Sequence, residues 1–221
     1  MSRSPTQQAS AGQAADYLDA FRTVYDLVAQ GRSWSGGERH GVFLNTGGTR
    51  FSNISGTSGL DFMDDGRGVA YVDWDHDGDV DLWMSNRSGP QLRFLRNDTS
   101  RENHFLAVRL EGRTCNRDAI GARAELVLRS AAPSNQNSKI KTQKFVKTLH
   151  AGHGYLAQSS KWLHFGLGVQ AEVDRVDVRW PGGTEETFRG LQAGDRYTLV
   201  EGSGVAEPWL PPERAVELTA S

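Results

Sequence analysis

Five aspartates stand at every second position of one short stretch of the chain: Asp73, Asp75, Asp77, Asp79 and Asp81. Carboxylates this close together repel one another, so a folded loop that contains them is stabilised by a cation. In a loop that begins at the first of them, the side chains of all but Asp79 can converge on one point, and the carbonyl of Asp79 supplies a further, neutral oxygen. Hard oxygen ligands in this number favour calcium over a transition metal. The sequence therefore predicts a calcium site formed by these residues.

The predicted calcium loop differs from an EF-hand in its closing residue and in its flanks. An EF-hand requires a glutamate at its twelfth position, where this chain has Met84. Residues 69–72 and 80–84 are rich in β-branched and aromatic side chains and predict strands on both sides. Gly78, at the sixth position, accommodates backbone angles that a β-carbon disfavours. A loop of this kind resembles the FG-GAP/VCBS repeat of integrin α-type β-propellers; the alternative is a solvated acidic hairpin turn.

The bulk composition excludes several functional classes. The 221-residue chain has a formal net charge of −2, which gives no global field for nucleic acid or an anionic membrane. Cys115 is the only cysteine, so an intramolecular disulfide is excluded. Apolar runs stay well short of the about 20 residues that cross a bilayer. Residues 1–13 lack the apolar segment of a signal peptide, so we expect either an intracellular protein or a piece of a longer exported chain with a missing upstream domain.

The first third of the chain predicts a tail, a helix and the calcium repeat. Residues 1–12 are polar and small, and we expect them to be disordered. Residues 13–31 show a helical period with one apolar stripe, which we expect to pack on the sheet that follows; the alternative is the end of a helical domain that lies upstream. Residues 32–98 form the predicted FG-GAP/VCBS-like calcium repeat, with a hairpin at 42–51. The residues of the apolar stripe are Tyr17, Leu18, Phe21, Val24, Tyr25 and Val28.

The remainder, residues 103–202, predicts strand after strand, followed by a loosely attached tail at 203–221. Four motifs in this part resemble the ASPIC/UnbV module, which follows FG-GAP/VCBS repeats in the cartilage acidic protein family and its bacterial relatives. They are NRDAIGAR at 116–123, GYLAQS at 154–159, LHFGLG at 163–168 and VDVRWPGG at 176–183. The resemblance implies a mainly β fold: a partial β-propeller plus a β-sandwich-like module, with one N-terminal helix. It also implies an extracellular or periplasmic location, although the chain shows neither enough repeats to close a propeller nor a secretion signal.

Other candidate sites carry weaker signals. His150 and His153 form too small a set for a metal site, and packing or surface hydrogen bonding explains them. Lysines at 139, 141, 144 and 147 suit a solvated strand edge, with polyanion binding as the alternative. Six tryptophans admit a glycan-stacking interpretation, although a core role is the usual one. The nucleophile-elbow, zincin, P-loop and nucleotide motifs are all absent from the sequence, so we assign no catalytic residue.

These observations favour a non-enzymatic, calcium-binding interaction or adhesion module with a protein or glycan partner. Two alternatives stay open. The first is an enzyme or accessory subunit of a biosynthetic pathway, which the UnbV part of the family resemblance suggests. The second is a glycan- or polyanion-binding module, which an exposed aromatic platform or a continuous basic groove would favour.

Overall fold

The regular secondary structure of the described residues is mainly β, as the sequence predicts. The computed structural model describes residues 11–31, 39–87, 89–99, 102–129, 143–169 and 172–212. Within them lie one helix and thirteen strands, besides a 3₁₀ turn at Ser55–Thr57. The elements are α1 (Ala11–Ala29), β1 (Phe43–Asn45), β2 (Phe51–Asn53), β3 (Gly66–Val72), β4 (Asp81–Asn86), β5 (Leu92–Leu95), β6 (His104–Glu111), β7 (Arg123–Leu128), β8 (Lys144–Thr148), β9 (Leu163–Gly168), β10 (Val173–Arg179), β11 (Glu185–Phe188), β12 (Arg196–Val200) and β13 (Ala206–Pro208).

The chain divides into two compact units, and the division runs through strands β3, β4 and β5. The first unit consists of Met1–Gly68 and Met84–Arg93, and the second of Val69–Trp83 and Phe94–Ser221. The predicted calcium loop therefore belongs to the same unit as all the strands from β6 to β13. The domain boundaries expected from the sequence stay a prediction.

Two four-stranded sheets of the second unit share one hydrophobic core. Their strand orders are β11-β10-β7-β8 and β13-β12-β6-β9, and all neighbours are antiparallel except β12 and β6, which are parallel. Alternation along the strands supplies the core: in β10, Val176 and Val178 are buried while Arg179 is exposed. Each fully buried side chain of this size contributes about 1.5–3 kcal/mol. The largest core side chains are Trp180, Phe165, Phe188, Leu106, Leu126, Leu128 and Leu199.

A tight turn after β10 holds the largest core residue in place. Gly182 and Gly183 have φ values of 112° and 95°, which L side chains rarely adopt. The turn lets the Trp180 N–H donate to the carbonyl of Thr184 at 2.8 Å, which pairs β10 with β11. The Trp180 indole Nε1–H donates to Glu186 at 2.6 Å, so the buried ring keeps its polar atom satisfied. A hairpin turn therefore joins β10 to β11.

The first unit exposes much of its apolar surface. Strands β1 and β2 pair antiparallel as the predicted hairpin, yet Phe43 and Phe51 are 60% and 63% exposed. The helical stripe is also exposed: Tyr17 and Tyr25 retain 69% and 68% of their accessible surface. The prediction that this stripe is buried on a sheet is therefore wrong, because periodicity shows which face of a helix is apolar but not whether a neighbour covers it. No helix in the described ranges has the length and apolar character that crossing a membrane requires.

Some elements differ from the predictions. Strands β3, β4 and β5 form a three-stranded sheet in that order, and the described residues close no barrel, so the partial β-propeller stays a prediction. Strand β13, in a region expected to be a loose tail, pairs with β12. Strand β8 covers Lys144–Thr148, and residues 139–142 lie outside the described residues. Three further parts of the chain lie largely or wholly outside the described residues. They are the tail predicted at 1–12, Trp34 and the residues from 213 onward.

Candidate calcium site

The loop between β3 and β4 brings three of the predicted ligands together. One carboxylate oxygen each from Asp73, Asp75 and Asp77 lies within 4.8 Å of the other two. Short-range hydrogen bonds fold the loop: the Asp77 N–H donates to Asp75 Oδ1 at 3.4 Å, and the Asp79 N–H donates to Asp77 Oδ1 at 2.9 Å. Aspartate favours this type of turn because its side chain accepts from the backbone two residues on. The sequence pattern thus determines the local shape of the site.

Asp81 lies beside this group and holds the ends of the loop. It is 1% exposed, and its Oδ2 accepts the Trp74 N–H while its Oδ1 accepts the Asn97 N–H, each at 2.8 Å. Both carboxylate oxygens therefore bind backbone groups of neighbouring segments, which satisfies a buried charge. A role for Asp81 as a calcium ligand stays a prediction, as does the role of the Asp79 carbonyl.

The electrostatics of the loop fit a cation. Burial raises the pKa of Asp75, and the negative charges of Asp77 and Asp81 raise it further. Asp73 Oδ1 is buried and has no hydrogen-bond partner among the described residues, whereas a buried carboxylate oxygen normally has one. A calcium ion would satisfy this oxygen and relieve the repulsion, and oxygen ligands are the ones it prefers. Asp73, Asp75 and Asp77 therefore fit the ion that the sequence pattern predicts.

Side chains from the two-sheet core support the loop from behind. Arg196, on β12, forms an ion pair through Nη2 with Asp73 Oδ2. His164, on β9, donates from Nε2 to the carbonyl of Gly78 at 2.7 Å, and burial lowers the pKa of this histidine. The ring of Phe105 stacks on His164 with centroids 5.1 Å apart. Sequence analysis missed the contributions of Arg196 and His164, because 123 residues separate Arg196 from Asp73 and no motif joins them.

An aromatic cluster lies directly beside the loop. The Trp74 ring has its centroid 5.4 Å from that of Trp83 and 5.9 Å from that of Phe94. Trp74 is nevertheless 42% exposed, so one part of the indole faces solvent while its neighbours support the rest. On another side of the loop, His76 contacts Trp209 with centroids 5.1 Å apart.

The histidine and lysine candidates from the sequence are not part of the aspartate group. His150 and His153 contact each other edge to face at 5.3 Å, and His153 also packs on Tyr71 at 5.8 Å. Lys144 forms an ion pair with Glu125 at 2.5 Å. A cleft of about 480 Å³ on the outer face of β7, β10 and β11 mixes arginines with acidic side chains. This mixture of charges does not form the basic groove that polyanion binding requires; Lys139 and Lys141 lie outside the described residues.

Comparisons with known proteins place part of the chain in context. Residues 112–206 match the family model described as ASPIC and UnbV. The match covers strands β7 to β12 and confirms the module predicted from the four motifs over those residues. Over 65 residues the chain is 37% identical to cartilage acidic protein 1 of Xenopus tropicalis. That alignment covers 29% of this chain and 10% of the relative, so the chain spans about a tenth of the relative's length. The FG-GAP/VCBS repeat stays a prediction.

Proposed function

We propose that this protein is a non-enzymatic interaction module in which a calcium ion organises the loop at 73–81. Asp73, Asp75 and Asp77 would hold the ion, and calcium would supply positive charge that neutralises the loop and fixes its shape. The observation that carries this proposal is the convergence of the three carboxylates within 4.8 Å. The buried, unpartnered Oδ1 of Asp73 supports it independently. The ASPIC and UnbV match supports an interaction role for the strands that follow.

The finer architecture belongs to the same proposal. The sheet β3-β4-β5 with its calcium loop would correspond to part of one FG-GAP/VCBS blade, and the two four-stranded sheets to a β-sandwich-like module. Strands that bracket an acidic loop support the first assignment, and the shared core supports the second. The partner would be a protein or a glycan, and an extracellular or periplasmic location would provide the calcium.

Calcium titration calorimetry of matched variants tests the metal site. The full chain should bind one calcium with a Kd of roughly 10⁻⁴–10⁻³ M, the range of extracellular modules. Asp77→Asn should weaken binding by at least about tenfold, because it removes a charged ligand. Asp79→Asn is the matched control: it removes the same charge from the same loop but keeps the backbone carbonyl, and its Kd should change by no more than about threefold. Equal losses in the two variants would contradict the ligand assignment.

The exposed face of Trp74 favours a glycan as a second candidate partner. An indole that is half exposed and supported by Trp83 and Phe94 offers a rigid apolar face, on which a sugar ring can stack. In the sequence, Trp74 also stands between Asp73 and Asp75, which would bind calcium. The ion and the indole would therefore contact the same glycan. Glycan-array binding in millimolar calcium should show signals that Trp74→Ala abolishes and that Phe43→Ala, which removes another exposed aromatic ring, retains. Retention of the signals by Trp74→Ala would exclude this platform.

A further inference from the structure

Arg196 is a buried cation at the base of the candidate calcium loop. Its side chain is 9% exposed, and that of its ion-pair partner Asp73 is 12% exposed. A guanidinium in this position requires compensation, and the carboxylate of Asp73 provides it. Asp73 Oδ2 also accepts the Gly78 N–H at 3.2 Å, so one oxygen of this carboxylate is fully committed. The other oxygen, Oδ1, is buried and has no hydrogen-bond partner within the described part of the chain.

Packing fixes Arg196 in this position. Its guanidinium carbon lies 5.1 Å from the centroid of the Phe105 ring, which stacks on His164 at an interplanar angle of 6°. His164 in turn donates to the carbonyl of Gly78. Strands β6, β9 and β12 each contribute one of these side chains, and adjacent pairing keeps the strands in register. The guanidinium is therefore positioned by the rigid core as well as by its ion pair with Asp73.

We propose that Arg196 is an internal counter-cation that keeps the loop folded without calcium and lowers the affinity of the loop for the ion. This inference rests on the proposed function, since it concerns the same loop. In the metal-free protein, Arg196 neutralises one of the crowded carboxylates. When calcium binds at Asp73 Oδ1, the guanidinium stays on the opposite oxygen of the same carboxylate. Two positive groups then share Asp73 in a partly buried environment, where screening by water is weak.

Removal of the charge has two opposing effects on calcium affinity. A neutral side chain at 196 removes the repulsion between the guanidinium and the divalent ion, which tightens binding. It also releases the Asp73 side chain, which weakens binding by the entropy of ordering one short rotamer. The repulsion acts between charges on the two oxygens of one carboxylate, so we expect it to exceed the ordering term, which is small for aspartate. If Arg196 only held the loop in shape, its replacement by a neutral residue would instead weaken calcium binding.

The test compares Arg196→Gln with wild type in calcium calorimetry and in melting experiments with and without calcium. Arg196→Gln should bind calcium about tenfold more tightly, because affinity depends on the net charge of the site. Its metal-free melting temperature should fall by roughly 5–10 °C, since a buried carboxylate loses its partner. Arg196→Lys keeps the positive charge beside Asp73, so its Kd should stay within about threefold of the wild-type value. Arg179→Gln, on the exposed face of β10, is the control and should change neither quantity.

The outcomes separate the two proposals. An unchanged or weaker calcium affinity in Arg196→Gln, with wild-type binding intact, would overturn the role of Arg196 alone. No binding by wild type at millimolar calcium would overturn the proposed function, and with it the effect on affinity. Arg196→Met provides a second neutral side chain, with an apolar stem that can pack on Phe105, should the glutamine variant fail to fold. Tighter binding by either folded neutral variant, with restoration by lysine, supports the proposal.

Discussion

At the scale of single residues, Gly78 connects the acidic loop to the core. Its φ of 102° lies in the region that favours glycine, and it is buried. A β-carbon at this position would collide with the ring of Phe105. The sequence pattern indicates a glycine for its backbone angle, but only the structure shows that the space is also occupied. The backbone angle and the space taken by Phe105 therefore both require glycine at position 78.

Gly78→Ala should destabilise the metal-free protein by about 2–4 kcal/mol. The reason is that backbone strain adds to a steric clash with a packed ring. Urea unfolding followed by circular dichroism measures this difference. Gly166→Ala is the matched control, because a β-carbon at that position in β9 meets no neighbouring atom and should cost less than about 1 kcal/mol. Similar costs at the two sites would contradict the close approach of Phe105.

At the scale of elements, one carboxylate organises the loop that joins β6 to β7. Glu201 Oε2 accepts the N–H groups of Arg113, Thr114 and Cys115 at 2.9, 2.8 and 3.1 Å. Its Oε1 accepts the Thr114 hydroxyl at 2.6 Å. These donors lower the pKa of Glu201 from 4.5 to about 2. The acid therefore ties the end of β12 to a loop almost ninety residues earlier, at separations of 86 to 88 residues.

The free energy of unfolding should depend on pH through the ionisation of Glu201. The unfolded chain takes up a proton near the ordinary pKa of 4.5, whereas the folded protein keeps the carboxylate ionised down to about 2. The stability that Glu201 contributes is therefore complete above pH 4.5 and is lost as the pH falls from 4.5 to about 2. Glu201→Gln should be less stable at pH 7 and should lose less stability over that acid range. Denaturant unfolding across this range is the measurement, with the exposed Glu207→Gln as control.

Most of the strands could be predicted from the sequence. Alternation of apolar and polar residues over 103–202 indicated strands in the region where β6 to β12 lie. Strand β13 escaped prediction because three residues among prolines carry little period, and only pairing with β12 makes them a strand. The three converging aspartates followed from local spacing. Arg196 and His164 could not be predicted, since strand pairing alone brings them to the loop.

At the scale of the whole molecule, the acidic loop at 73–81 and the two-sheet core belong to one compact unit, while the helix belongs to the other. The helical stripe stays exposed, so it contributes little to the stability of the chain by itself. This differs from the sequence-based expectation, in which the helix packed on the sheet that follows it.

Deletion of residues 1–31 should therefore leave the main melting transition within about 2 °C of the full chain. The transition reports the core shared by the two four-stranded sheets, which this deletion does not touch. Differential scanning calorimetry and size-exclusion chromatography are the measurements. Phe165→Ala, which removes a buried ring from that core, should lower the transition strongly and shows that the assay responds to packing. Aggregation of the truncated chain would show that the helix shields apolar surface.

The ion pair between Asp73 and Arg196 also has a consequence for the order in which parts of the chain fold during synthesis. Its partners are 123 residues apart, and the parallel pairing of β12 with β6 closes a comparably long span. Contacts this distant in the chain form late, because a long loop must close before they are gained. During synthesis the acidic loop leaves the ribosome well before Arg196, and through that interval its carboxylates lack their internal counter-charge. Until then only water and dissolved ions screen these carboxylates, so we expect the loop to reach its final shape after β12 has paired with β6.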